Sequence, residues 1–291
     1  MLILKIIKYF FQSIVIYLFF IIIKIIGLNL SRKFFSILFN IIGPSIKSEQ
    51  TINNNLEKFL GPQNDEIKNK IKLEMWKNYG KTFVEYLFLK KFKNTNSHIK
   101  INGEGILKKI KESNKPVIFV SGHFANFELM SMELTKRNIK LATIYRPLNN
   151  YFLNYFMESL RKKYICQNQI KKGLVGVKNS IHYIKNNFSI ALMIDQRVSE
   201  GKKLPFFEHL ALTTTMPAQL ALKFNLDIVP IYIARKTENN FEMEIYEPLK
   251  ISENDDSETN KLNISIKLNK ILEEMILRDP GQWIWTHNRW K

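Results

Sequence analysis

Short runs of β-forming residues alternate with longer helical stretches through the second half of the chain, and this alternation limits the possible folds more than any other feature. Val117 to Val120, Leu141 to Tyr145, Ile190 to Ile194 and Ile228 to Ile233 read as strands, with helices near 124–136, 150–163, 174–186 and 216–225. A helix between two strands carries the chain back to its starting edge, so such strands run parallel, and a parallel sheet needs helices on both faces. The expected fold class is α/β, with a mainly parallel central sheet flanked by helices. Phe241 to Tyr246 alternates apolar and acidic residues and suggests an edge strand, while Leu262 to Leu277 reads as a last amphipathic helix. From Asp65 to Phe92 apolar residues recur at helical spacing, with Gly80 a candidate break. No internal repeat and no flexible interdomain linker is visible.

The N-terminus adds a separate constraint. Tyr9 to Ile23 is almost wholly apolar and extends to Ile26 if Lys24 is tolerated, a span of about 18 residues at the lower limit for crossing a bilayer. It can span the membrane or lie half-sunk, and a buried core helix is the alternative. Ile-Ile-Gly-Leu-Asn-Leu follows, rather than the small residues of a signal-peptide cleavage site. Leu30, Phe34, Phe35, Ile37, Leu38, Ile41 and Ile42 then form a broad apolar face broken by Arg32 and Lys33, as in a helix lying in the membrane interface and ended by Gly43-Pro44. The expected organisation is an anchor with its interfacial helix over 1–45 and a catalytic domain over 46–291.

Chemistry is expected where the first strand ends. Val117-Ile-Phe-Val-Ser-Gly-His-Phe-Ala-Asn-Phe-Glu128 runs from a strand through the Ser121-Gly122 turn into a helix, with His123 five residues before Glu128. On a continuous helix five residues turn the chain by about 500°, leaving the two side chains about 140° apart, so they meet only if His123 lies outside the regular helix. A carboxylate on one imidazole nitrogen leaves the other as a base for a hydroxyl, the pairing that lets an alcohol attack a carbonyl. A histidine and a glutamate near a helix start also serve as capping and surface groups, and spacing alone does not separate the readings. Arg146, and Asp195 with Arg197, likewise fall just beyond strands, where open α/β sheets put their ligand sites; any one of them can also be merely solvated. Arg161 closes the helix begun near Asn150, where a last-turn cation also suits the helix dipole.

Composition narrows the partners. The net charge of +18 over 291 residues suggests an acidic partner: nucleic acid, an anionic membrane surface or an acidic carrier protein. Part of that charge reflects a Lys-, Ile-, Asn- and Phe-rich usage spread along the whole chain. Lys162, Lys163, Lys171, Lys172, Lys202 and Lys203 cluster near the candidate site and could receive phosphates or be plain solvated surface. One cysteine, Cys166, excludes an internal disulfide and any multi-cysteine metal site.

Taken together, Ser-Gly-His-Phe-Ala-Asn-Phe-Glu (121–128), Tyr-Arg-Pro (145–147), Arg161, Met-Ile-Asp-Gln (193–196), Pro-Phe-Phe (205–207), Thr213 to Thr215 and Trp-Thr-His-Asn-Arg-Trp-Lys (285–291), behind a hydrophobic N-terminal helix, resemble the lysophospholipid acyltransferase superfamily. Within it the chain looks like the late acyltransferases of bacterial lipid A assembly, and the resemblance covers nearly the whole chain. It implies His123 as the base, Glu128 as its orienting partner, and Arg161, Asp195 and Arg146 as further charges for the site or for positioning substrate. It implies a membrane-associated enzyme at the cytoplasmic face of the inner membrane. That enzyme would take an acyl group from an acyl carrier protein or coenzyme A thioester to a hydroxyl of a lipid A precursor. Anionic phospholipid would be a further partner; no cofactor, metal or nucleic acid is expected. The alternatives are another lipid acceptor, a lysophospholipid or glycosylated phosphoinositide, or a membrane-tethered binder of anionic lipid or nucleic acid without chemistry. The chain departs from the family pattern at Glu208 and Met216, where glycine is common, and at Asn288, where arginine is.

Overall fold

The computed structural model describes residues 2–62, 64–251 and 258–291. Five helices come first: α1 (Leu2–Ile26), α2 (Leu28–Ile46), α3 (Glu49–Leu60), α4 (Asp65–Glu85) and α5 (Leu89–Asn94). The α/β core then runs β1 (Ile99–Asn102), α6 (Glu104–Ser113), β2 (Ile118–Ser121), α7 (Glu128–Lys136), β3 (Leu141–Tyr145), α8 (Tyr151–Tyr164), β4 (Asn168–Lys171), α9 (Leu174–Lys185) and β5 (Ser189–Met193). It continues through β6 (Lys202–Phe206), β7 (His209–Thr213), α10 (Met216–Phe224), β8 (Ile228–Arg235), β9 (Phe241–Ile245) and α11 (Glu258–Arg278).

Seven strands form one sheet in the order β1-β9-β8-β2-β5-β3-β4, parallel throughout except where β8 meets β9; β6 and β7 form a separate hairpin. The α/β expectation holds. β2 lies at the centre between β5 and β8, and its alternate side chains feed two cores. Ile118 and Val120 pack with Ile190, Leu192 and Ile228 under α10 and α11, while Phe119 packs with Ala191 and Val229 under α7. Each face of a buried parallel strand must be apolar, which is why these strands read as continuous hydrophobic runs.

Several elements differ from the sequence reading. Phe241–Ile245 is no edge strand: β1 covers it, and its acidic residues find partners, Glu242 with Asn102 at 2.6 Å and Glu244 with Arg278 at 2.6 Å. The helix expected from 124 begins only at Glu128, because residues 124–127 form the turn that builds the site. α2 continues through Gly43-Pro44 to Ile46. Gly80 leaves α4 unbroken and is instead a point of close approach, since a Cβ there would collide with the Phe35 carbonyl of α2.

Arg32 is not on a solvated face. It is buried, and its Nε donates to Glu85 Oε1 at 2.8 Å at the end of α4, where Arg235 of β8 also holds the same carboxylate. Burial alone would raise the Glu85 carboxyl, but the two guanidinium charges and their hydrogen bonds hold it below the ordinary carboxylate range. Outside this contact α1 and α2 expose apolar side chains, among them Ile3, Phe11, Leu18 and Ile25 on α1 and Leu30, Phe34, Ile37 and Ile41 on α2. Ile3–Ile26 is long and apolar enough to cross a membrane.

Candidate active site

The site forms where two neighbouring strands stop. β2 and β5 pair in parallel with Ser121 opposite Met193, so the residues two positions beyond each, His123 and Asp195, leave the sheet at the same level. Asp195 is fully buried, and its carboxylate accepts three hydrogen bonds. His123 Nδ1 reaches Oδ1 at 2.7 Å, while the His123 backbone N–H and Trp283 Nε1–H reach Oδ2 at 2.7 and 2.9 Å. Burial pushes the Asp195 carboxyl up, but the His123 charge and these hydrogen bonds outweigh it and hold the group below its usual range. An ionised carboxylate only accepts, so Nδ1 carries a hydrogen, and in the neutral imidazole Nε2 is the nitrogen with the lone pair.

The turn around His123 is held from several sides. Phe124 N–H bonds back to the Gly122 carbonyl at 2.9 Å, and a Cβ on Gly122 would strike the Phe124 ring. Ala125 adopts a left-handed φ of 43°, a conformation costly for a residue with a Cβ. Its N–H is tied to the Gln282 carbonyl at 3.0 Å and its carbonyl to Thr82 Oγ1 at 3.1 Å. Asn126 is buried and donates to Glu85 Oε2 at 2.9 Å, so the carboxylate that anchors α2 also anchors the turn.

The spacing suggests Glu128 as the partner of His123; the structure gives that place to Asp195. Glu128 opens α7, and its Oε1 is taken by Arg161 of α8, Nη2 at 2.6 Å and Nε at 2.7 Å, and by the Tyr86 hydroxyl at 2.5 Å. Arg161 is therefore an engaged partner rather than a free last-turn cation. Burial works against its charge, yet Glu128 and Tyr86 shift it upward. Burial and the Glu128 charge also push the Tyr86 hydroxyl up, keeping it a donor.

His123, Glu128, Arg161, Arg146 and Lys172 all line one cavity of about 740 Å³, within the range of roughly 300–1,000 Å³ usual for ligand sites. Its wall is mixed: Met130, Ile144, Leu148, Leu192, Met216 and Ile284 are apolar, and Gln196, Thr215 and His287 are polar. Burial, together with the Arg146 charge, lowers the Lys172 amine. Among the described residues neither Arg146 nor Lys172 has a carboxylate within salt-bridge reach. Lys171 and Lys202 face outward and are partly neutralised, Lys171 by Glu158 at 4.0 Å and Lys202 by Glu258 at 3.0 Å. Trp283 and His287, in the C-terminal segment, belong to the site although no strand-end position marks them in the sequence. No group of histidine, cysteine or carboxylate side chains suited to a metal ion occurs among the described residues.

Residues 3–291 match the family described as bacterial lipid A biosynthesis acyltransferase. Among curated relatives, the lipid A biosynthesis palmitoleoyltransferase of Escherichia coli (strain K12) is 24% identical over 257 residues, covering 85% of this chain and 80% of that protein. The lipid A biosynthesis acyltransferase of Shigella flexneri matches to the same extent, 24% over 257 residues.

Proposed function

The chain belongs to the bacterial lipid A biosynthesis acyltransferase family, and from that premise we propose that it moves a fatty acyl group from an acyl carrier protein thioester to a hydroxyl of a lipid A precursor. His123 is the general base and Asp195 the residue that orients it. The observation that carries this reading is the 2.7 Å bond between His123 Nδ1 and buried Asp195, which leaves Nε2 as the free base on a cavity lined by apolar and basic groups.

In the proposed step Nε2 takes the acceptor hydroxyl proton while the oxygen attacks the thioester carbonyl carbon. The carbonyl π electrons move onto oxygen, giving a tetrahedral oxyanion. Its collapse breaks the carbon–sulfur bond, and the leaving thiolate takes the proton back from Nε2, regenerating the base. Asp195 stabilises the imidazolium between the two transfers by the charge it holds 2.7 Å away.

The remaining residues suit the substrates. Arg146 and Lys172, unpaired by carboxylates, fit a phosphate of the acceptor or of the carrier's prosthetic arm. Glu128, pinned by Arg161 and Tyr86, fixes the wall between α7 and α8. The apolar faces of α1 and α2 suit a membrane carrying the lipid acceptor, with the catalytic domain at the cytoplasmic face of the inner membrane, where an acidic acyl carrier can reach a basic surface.

Mass spectrometry of lipid A tests the reading. Cells lacking this protein should accumulate a species short of one secondary acyl chain, restored by the wild-type gene. An unchanged lipid A profile would refute the assignment of acceptor.

A further inference from the structure

A second imidazole stands in the cavity wall. His287 lies in the segment Trp285-Thr286-His287-Asn288-Arg289-Trp290, which is held by hydrogen bonds from several elements. Asn55 of α3 donates one hydrogen to the Trp285 carbonyl at 2.8 Å and another to the His287 carbonyl at 2.7 Å. Thr286 shares a hydrogen with the Tyr79 hydroxyl at 2.6 Å, and the buried Arg289 side chain donates to the Leu212 carbonyl at 2.7 Å and to Thr213 Oγ1 at 2.8 Å. A ring carried on this backbone has little freedom to wander.

The ring's protonation follows from one contact. His287 Nε2 accepts the backbone N–H of Arg197 at 2.9 Å. A nitrogen that accepts a hydrogen bond carries no proton, so the ring is neutral and its hydrogen sits on Nδ1, the reverse of a general base presenting a bare Nε2. Burial disfavours the charged ring. Against the attraction of Asp195, the charge of His123 whenever that ring is protonated and those of Arg289 and Lys172 disfavour it too, and with burial they push the group down to about 4. Among the described residues no acceptor meets Nδ1–H. The cavity wall thus carries two imidazoles held in opposite ways: a carboxylate binds the Nδ1–H of His123 and leaves Nε2 to accept, whereas a backbone amide donates to Nε2 of His287 and leaves Nδ1–H to donate.

We propose that His287 is a fixed neutral hydrogen-bond donor to the acyl carbonyl oxygen, stabilising the oxyanion as the tetrahedral intermediate forms. This rests on the acyl-transfer reading of the site. His123 becomes an imidazolium at the moment the oxyanion appears, and a second imidazolium beside it would be repelled. A neutral donor avoids that repulsion and acts chiefly when charge develops on the oxygen, which is what accelerates the chemical step rather than ground-state binding. A substrate phosphate, by contrast, is charged from the outset and is better met by Arg146 and Lys172.

Two substitutions separate the donor from a structural tether. His287→Gln puts an amide oxygen where Nε2 accepts from Arg197 but removes the ring Nδ1–H. His287→Asn keeps an N–H near the position of Nδ1 and gives up the reach to Arg197. Turnover of the full-length enzyme on an acyl carrier protein thioester and a lipid A precursor in detergent micelles should show kcat of His287→Gln reduced about 10²-fold or more. KM should stay within about threefold and Tm within about 2 °C of wild type. His287→Asn should recover at least about tenfold of that loss in kcat. Wild-type kcat in His287→Gln, or a loss carried by KM with kcat intact, would overturn the proposal. Side-chain ¹⁵N NMR of the wild-type protein at neutral pH checks the tautomer independently of activity, and a proton on Nε2 would also overturn it. A wild type inert toward these substrates would refute the acyl-transfer reading itself, an outcome distinct from an active enzyme that tolerates His287→Gln.

Discussion

Replacing Asp195 by asparagine should disable the base while leaving the fold in place. Two donors, the His123 backbone N–H and Trp283 Nε1–H, converge on Oδ2 at 2.7 and 2.9 Å, whereas a single donor, His123 Nδ1, meets Oδ1 at 2.7 Å. An asparagine therefore turns its carbonyl oxygen toward the two donors and its NH₂ toward His123. Nδ1 must then accept, the ring hydrogen moves to Nε2, and the lone pair needed for the acceptor hydroxyl is lost. In the serine protease triad the same change lowers kcat about 10⁴-fold by this tautomer reversal. A loss of roughly 10³- to 10⁴-fold is expected here, about 4–5.5 kcal/mol in the barrier. Glu128→Gln leaves the His123 tautomer untouched and should cost less than Asp195→Asn. The assay is kcat for acyl transfer in detergent micelles for both variants, with near-UV circular dichroism to check the fold. If folded Asp195→Asn turns over near the wild-type rate while Glu128→Gln does not, Asp195 is not the partner of the base.

The cluster that ties α2 to the catalytic turn gives a stability prediction: Arg32→Ala removes one of two guanidiniums from buried Glu85 and should cost about 3 kcal/mol, a fall in Tm of roughly 6 °C; an unchanged melt would mean the ion pair is dispensable. Glu208 occupies a left-handed φ of 62° in the β6–β7 turn, so Glu208→Gly should stabilise the protein by about 1 kcal/mol in a urea melt, and a destabilised variant would contradict the strain. His287 is held neutral down to about pH 4, whereas an unfolded histidine titrates near 6.5. Between those values the unfolded chain binds more protons, so this contribution to stability falls as pH drops through about 6.5 to 4. Wild type should therefore lose stability relative to His287→Gln between pH 7 and pH 5 in urea melts, and parallel pH profiles would contradict it.

The parts of the fold legible in the sequence are those buried on both sides. β2, β3, β5 and β8 are mostly apolar because helices cover both faces, and the helices between them repeat at their own period. β1, Ile-Lys-Ile-Asn, and β4, Asn-Gln-Ile-Lys, sit at the two edges of the sheet, where strands of four residues that mix polar and apolar side chains are too short to carry a clear periodic signal. The β6–β7 hairpin hides for another reason: its turn is Phe207-Glu208, both at positive φ, instead of the Asn-Gly or Asp-Gly that marks such turns.

At the site, His123 and Asp195 each stand out as polar residues just past a strand, yet sequence spacing favours Glu128 as the partner because it is near in the chain. What joins His123 to Asp195 is that β2 and β5, 72 residues apart in sequence, are neighbours in register. Strand order is a property of the whole sheet and is not written in either segment. Arg32 shows the same limit: its apolar neighbours make it look like a break in a membrane-facing stripe, and only the partner Glu85 on α4 explains its burial.

The central claim is that His123 accepts the acceptor's proton in acyl transfer to a lipid A precursor. Its most direct test is single-turnover transfer by purified His123→Ala from an acyl carrier protein thioester, with the product weighed by mass spectrometry. Wild type should convert the precursor to a species heavier by one acyl chain. His123→Ala should bind both substrates and do so at least about 10²-fold more slowly. Transfer by His123→Ala at a rate near wild type would contradict the account.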